Sequence, residues 1–324
     1  MRVYNDGAIL ILRLWISWDR TIYLVLSEFR QTKRSTSGAL TVCRVTGAGQ
    51  SVTDALLHEK TLPEAFQRAM HDICSVAKDK GCRLWIDAEQ QAAQDSIDCL
   101  AMNLMRVYNR GRKPVVYNTL QAYLKGARSR LSDQLRLAVD EDWTLALKLV
   151  RGAYIGTDVR SGIHDTKAET DATYNGIVRD ILQGTLPGKP MSAPGRPRIE
   201  LFLAGHNHES IQAASELVTN LGATKSLQTE PEIALLQGMA DDIGSALVDQ
   251  EADSWATHQG QVSSRATWKP RVYRYLTWGT IRECMLYLVR RAVENRGATG
   301  ATLGPSAFSA EFRRRIFSRR QGLA

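Results

Sequence analysis

A chain of 324 residues with 44% hydrophobic content holds enough apolar material for one large core or two small ones. Its net charge of +8 gathers partly near the ends, at Arg30, Lys33 and Arg34 and again at Arg313, Arg314, Arg315, Arg319 and Arg320. No nucleic-acid-binding signature accompanies those runs, so they read as solvated surface and no nucleic-acid partner is expected. Five cysteines without CxxC spacing and six histidines without an HExxH pair suggest neither a disulfide framework nor a metal site, which fits an intracellular compartment.

The opening residues 1–38 are expected to be irregular. Ala8–Trp18 is apolar but is interrupted by Arg13 and is too short to span a membrane as a helix. Scattered arginines loosely resemble a mitochondrial presequence, although Asp6, Asp19 and Glu28 weaken that reading. From residue 39 onward short apolar segments alternate with amphipathic ones. Strands are expected at Ala39–Val45, Arg83–Ile86, Val115–Tyr117, Leu145–Val150, Glu200–Leu203 and Arg271–Tyr275, with a weaker one near Lys225–Thr229. Helical patterns lie between them, at Leu62–Lys80, Ala92–Tyr108, Leu131–Glu141, Ala168–Leu182, Glu209–Leu221 and Thr280–Asn295. This succession means βαβ units and a parallel sheet, and its length favours a closed (β/α)8 TIM-like barrel over residues 39–324. Gly184–Pro197 reads as a loop and Val248–Pro270 as a polar insertion.

In such a barrel the chemistry lies at the C-terminal ends of the strands. Four expected strands end in polar groups: Asp87 and Glu89; Asn118, Thr119 and Gln121; Arg151 and Tyr154; His206 and Asn207. A last helix spaces Tyr287, Arg290, Arg291 and Glu294 three and four residues apart, on one face. Paired arginines beside aromatic rings suit a small carboxylate, with Glu294 orienting Arg290. The same face fits a solvated surface helix with an i,i+4 ion pair, and the residues alone leave both readings open.

Six blocks in order carry a resemblance. They are IDAEQQ at Ile86–Gln91, VVYNTLQAYLK at Val115–Lys125, KLVRGAY at Lys148–Tyr154, AGHN at Ala204–Asn207, LLQGMADD at Leu235–Asp242 and VYRYLTWGTIRECMLYLVRRAVEN at Val272–Asn295. Together they resemble the proline dehydrogenase (proline oxidase) family, fungal-type, over roughly residues 39–320. The resemblance implies FAD-dependent oxidation of L-proline to Δ1-pyrroline-5-carboxylate, with hydride passing from ring C5 to flavin N5 and electrons going on to a quinone or other acceptor. It places Arg290 and Arg291 on the substrate carboxylate. Tyr275, Tyr287 and Leu236 wall the ring, and Asp87 orients the substrate-side polar network. It gives FAD to Gln121, Lys148, Val150, Arg151, Tyr154, Gly205 and His206, and lays Thr280–Asn295 over the barrel mouth. A mitochondrial location is implied too, with room for peripheral membrane association, and the oligomeric state is left open.

The chain departs from the family pattern in places. Arg44 stands where the first-strand lysine is expected, and is expected to point inward and pair with Asp87. Thr277-Trp278 replaces Pro-Tyr, Gly205 replaces a hydroxyl residue, and Leu235 replaces a glutamine. Two other readings therefore stand beside proline oxidation. One is a flavoenzyme acting on another cyclic amino acid or proline derivative. The other is a catalytically inactive binding protein.

Overall fold

The computed structural model describes residues 9–13, 40–111, 113–186, 198–236, 243–244, 247, 270–278, 285 and 288–289. Eight parallel strands follow one another in chain order: β1 (Ile9–Arg13), β2 (Leu40–Cys43), β3 (Arg83–Ile86), β4 (Val116–Gln121), β5 (Leu145–Val150), β6 (Ile199–Ala204), β7 (Glu232–Leu236) and β8 (Val272–Trp278). Strands β2 to β8 make a curled sheet, and β1 pairs with β2 on one side and β8 on the other, closing the ring. The described helices are α1 (Gln50–Leu57), α2 (Glu64–Lys80), α3 (Gln91–Tyr108), α4 (Ala127–Asp140), α5 (Lys167–Gln183) and α6 (His208–Ala223). Among the described residues none of the helices is long and apolar enough to cross a membrane. The chain divides into two compact units, Met1–Trp278, which carries all eight strands, and Gly279–Ala324.

Helix chemistry explains the boundaries. Buried Phe66, Met70, Ile73, Cys74 and Ala77 recur at three- and four-residue steps along α2, which lays one apolar stripe on the sheet. Gly81 ends that helix in the left-handed region, its N–H returning to the carbonyls of Ala77 and Lys78. Helix α5 opens with a reciprocal capping box between Thr166 and Glu169.

Alternation along the strands sorts the interior into two layers. Leu84, Ile86, Leu147, Leu149, Leu201, Leu203 and Ile233 join one continuous core with the helices. Residues of the opposite parity turn into the ring, where the Phe202 ring lies 4.7 Å from Trp85, 5.3 Å from Tyr117 and 5.3 Å from Tyr273, edge-on to each. At the N-terminal ends of the strands Arg83 closes the floor of the ring. It donates to Glu232 at 2.7 Å and to the Tyr273 hydroxyl at 2.6 Å, with its guanidinium 4.8 Å from the Phe202 ring.

Two strand assignments differ from the sequence expectation. Ile9–Arg13 is a strand, although it falls in the stretch expected to be irregular. Four apolar residues followed by Arg13 show no period of their own, and both partner strands are remote in sequence. The seventh strand is Glu232–Leu236 and not Lys225–Thr229, because Lys225 has a positive φ of 55° and closes the turn that ends α6. The insertion expected at Val248–Pro270 lies outside the described residues except for Pro270. Of the helix expected at Thr280–Asn295, Met285, Leu288 and Val289 are described, as helical and exposed.

Glu200 lies near the floor, and burial, followed by the charge of Glu232, raises its pKa. A carboxyl raised in the folded state contributes stability at low pH and loses it as pH rises through the folded value. Glu200→Gln should therefore raise the melting temperature at about pH 8, and the gain should shrink at about pH 5. Thermal melts of both proteins at the two pH values check this.

Candidate active site

On the strands Thr119, Gln121, Lys148 and Val150 have the inward parity, whereas Asn118 has the opposite one and donates to Asp98 Oδ1 on α3 at 2.9 Å. Lys148 is buried. Its Nζ donates to Asp87 Oδ1 at 2.5 Å and lies 5.0 Å from the centre of the Trp85 ring. Two positions assigned to different halves of a site, Asp87 after β3 and Lys148 on β5, thus form one ion pair. A buried ammonium needs such a partner, and the face of Trp85 adds a second favourable contact.

Arg44 does not pair with Asp87. Its Nε donates to Glu89 Oε2 at 2.9 Å. Glu89 is almost fully buried and also accepts from the Thr46 amide at 2.9 Å and from the Thr46 hydroxyl. Its own amide donates to Gln94 Oε1 at 2.9 Å, and its carbonyl accepts from Gln121 Nε2 at 3.1 Å. The correction has a physical cause. The 3-10 turn Val45–Ala48 points the Thr46 donors at Glu89, while Lys148 engages Asp87. Burial acts to lower the Arg44 pKa, but Tyr154, the Glu89 hydrogen bond and charge, and Asp87 outweigh it and raise it.

Past β5, Arg151 bridges two helices. It donates to Asp171 on α5 and to Ser210 Oγ on α6 at 2.6 Å, over the Tyr174 ring at 4.9 Å. Asn207 caps α6 by accepting from the Ser210 amide at 2.9 Å. Gly205 has open space where a Cβ would stand, so the missing hydroxyl side chain is not excluded sterically. His206 is exposed, and Val150, at the end of β5, receives the Ala122 amide at 2.8 Å. Leu236 and Tyr275 are register neighbours on β7 and β8, both half-buried. Tyr287, Arg290, Arg291 and Glu294 lie outside the described residues.

Sequence reasoning left out Thr46, Trp85, Asp171 and Ser210, and noted Glu89 only as a neighbour of Asp87. The parity of Trp85 with Asp87 was a usable signal. Nothing local in sequence joins Arg151 to Asp171 and Ser210.

The fold and this cluster define a class, a parallel α/β barrel-like protein with paired charges at the C-terminal ends of its strands. A family model described as proline dehydrogenase matches residues 18–302, and the chain belongs to that family. It is 36% identical over 257 residues to "Probable proline dehydrogenase, mitochondrial" of Schizosaccharomyces pombe, covering 76% of this chain and 49% of that protein. It is 30% identical over 263 residues to "Hydroxyproline dehydrogenase" of Rattus norvegicus, covering 79% and 53%. The chain thus spans about half the length of these curated relatives. Proline utilization A from Bdellovibrio bacteriovorus aligns with a TM-score of 0.66 at 17% identity, over 90% of this chain and 30% of that one, a likeness of fold.

The loop after β5 rests on Gly152, whose φ is +132°, and a Cβ there would collide with the Tyr123 ring. Tyr123 in turn donates to Asp158. Burial and that carboxylate push its phenol pKa well up, so it stays a donor. Gly152→Ala should cost more than about 1 kcal/mol, because it combines a left-handed backbone with a steric clash. Denaturant unfolding of variant and parent checks it.

Proposed function

We propose that this chain is an FAD-dependent proline dehydrogenase that oxidises L-proline to Δ1-pyrroline-5-carboxylate. The observation that carries the reading is the Lys148–Asp87 pair, which ties a flavin-side cation to a substrate-side acid at the C-terminal ends of β5 and β3. The full reading is a complete (β/α)8 barrel, begun by Ile9–Arg13 and continued over residues 39–324, with Thr280–Asn295 as a helix over its mouth.

The residues present suit a flavin dinucleotide. Lys148 and Arg151 supply positive charge, Gln121 an amide, and Gly205 leaves room for close approach. With Val150, Tyr154 and His206 they form the proposed cofactor site. FAD held by these residues would supply the two-electron acceptor, its N5 serving for the hydride that leaves ring C5 of the substrate. The chain's own groups do the rest. Arg290 and Arg291 hold the carboxylate, with Glu294 orienting Arg290. Tyr275, Tyr287 and Leu236 enclose the apolar edge of the ring. Asp87, held by Lys148, faces the amine side. Overall a C5–H and an N–H bond break and a C=N bond forms. Electrons leave to a quinone or related acceptor, and the protein works in the mitochondrion, with peripheral membrane association. The rat relative's name and the Arg44–Glu89 pair favour a second reading, oxidation of a substituted cyclic amino acid.

Purified protein should carry flavin absorbance, or gain it on adding FAD, and should reduce a dye with L-proline. A panel adding 4-hydroxyproline and larger-ring imino acids ranks the two readings. Protein that takes up no flavin, or turns over no member of the panel, defeats both. Arg291→Ala should weaken substrate binding by roughly 2–5 kcal/mol, because it strips a charged partner from a buried carboxylate. Flavin content should be retained, and an unchanged KM for every substrate would remove Arg291 from the site.

A further inference from the structure

We infer that Glu89 is a positioning residue for substrate selection, acting through Arg44. This rests on the proposed function. Two acids and two cations meet at the ends of β2, β3 and β5, and they are sorted into two pairs, Arg44 with Glu89 and Lys148 with Asp87. Lys148 holds Asp87, and the Arg44 side of the sorting has its own cause. It is dictated by Glu89, whose two oxygens accept one donor from Arg44 and two from Thr46, and whose backbone is fixed at both ends by Gln94 and Gln121. The carboxylate therefore cannot follow Arg44, and Arg44 is held to it.

The hold is made at Nε, a single donor of the five on a guanidinium. Bonding there fixes the plane of the group and the direction of its terminal nitrogens. A lysine could not be oriented in this way, because an ammonium carries no plane. Arg44 is held with Glu89, and Asp87 stays with Lys148. Released from Glu89, Arg44 is free to swing to Asp87, compete with Lys148 and block the amine side of the pocket.

The test is a double-mutant cycle on the flavin-loaded protein, scoring KM, kcat and flavin content with the best substrate of the panel. Glu89→Gln keeps the shape of the side chain and removes its charge. It should raise KM about tenfold or more, the scale of one charged hydrogen bond, with a smaller change in kcat and retained flavin. In the Arg44→Lys background the same change should have less than half that effect on a logarithmic scale, because contacting residues couple. Glu89→Asp, which keeps the charge, should recover part of the loss. An equal effect of Glu89→Gln in both backgrounds, or a loss of flavin in step with the loss of activity, would overturn the inference and leave Glu89 a loop anchor. Parent protein that neither turns over a substrate nor shifts its flavin spectrum with cyclopentanecarboxylate would instead overturn the proposed function, and this inference with it.

Discussion

Lys148 carries a full charge into the interior of a parallel sheet, and much of the surrounding arrangement answers that one burial. An ammonium cut off from water is tolerable only with a counter-charge in direct contact. Asp87 provides it from two strands away, and the Trp85 face lies beneath. With Asp87 committed to Lys148, Arg44 pairs instead with Glu89, the next acid along the chain. The Thr46 turn, Gln94 and Gln121 then hold that acid in place. The mouth is thus a chain of mutual obligations rather than a collection of separate side chains.

The floor of the ring solves the same problem differently. Arg83 is screened by rings as much as by charge, with Tyr117, Phe202 and Tyr273 around it and Glu232 beneath. The exposed Arg271 also pairs with Glu232, at 3.2 Å. Buried charge at one end of the sheet is closed off by aromatic packing, and at the other it is paired beside loops that differ in length and composition. In parallel α/β barrels ligand chemistry gathers at the C-terminal ends of the strands, the end that carries the second arrangement here.

Much of this was legible in the sequence. The short apolar runs of β2 to β6 and β8 stand out because each is bounded by polar loops, whereas Lys148, Leu236 and Tyr275 were singled out only by the resemblance to the family. β1 was not legible, since ILILR pairs only with strands far away, and β7 was misplaced by the polar stretch ahead of it. Arg44 failed for a subtler reason. Asp87 and Glu89 both follow β3 within three residues, and the choice between them depends on a turn and on a lysine two strands further along. Pairing among several charges is a collective property, and no local pattern encodes it.

The closing strand has a consequence for synthesis. Ile9 pairs with Arg274, so β1 leaves the ribosome long before the strand that completes its hydrogen bonding exists. Throughout that interval the growing sheet keeps two raw edges, at β1 and at its newest strand, each offering unpaired amides and carbonyls to any passing chain. Ring closure is the most non-local event in the fold, and it comes last. The vulnerable period for this protein is therefore its birth, and chaperone demand should be set by how long the first strand waits for the eighth.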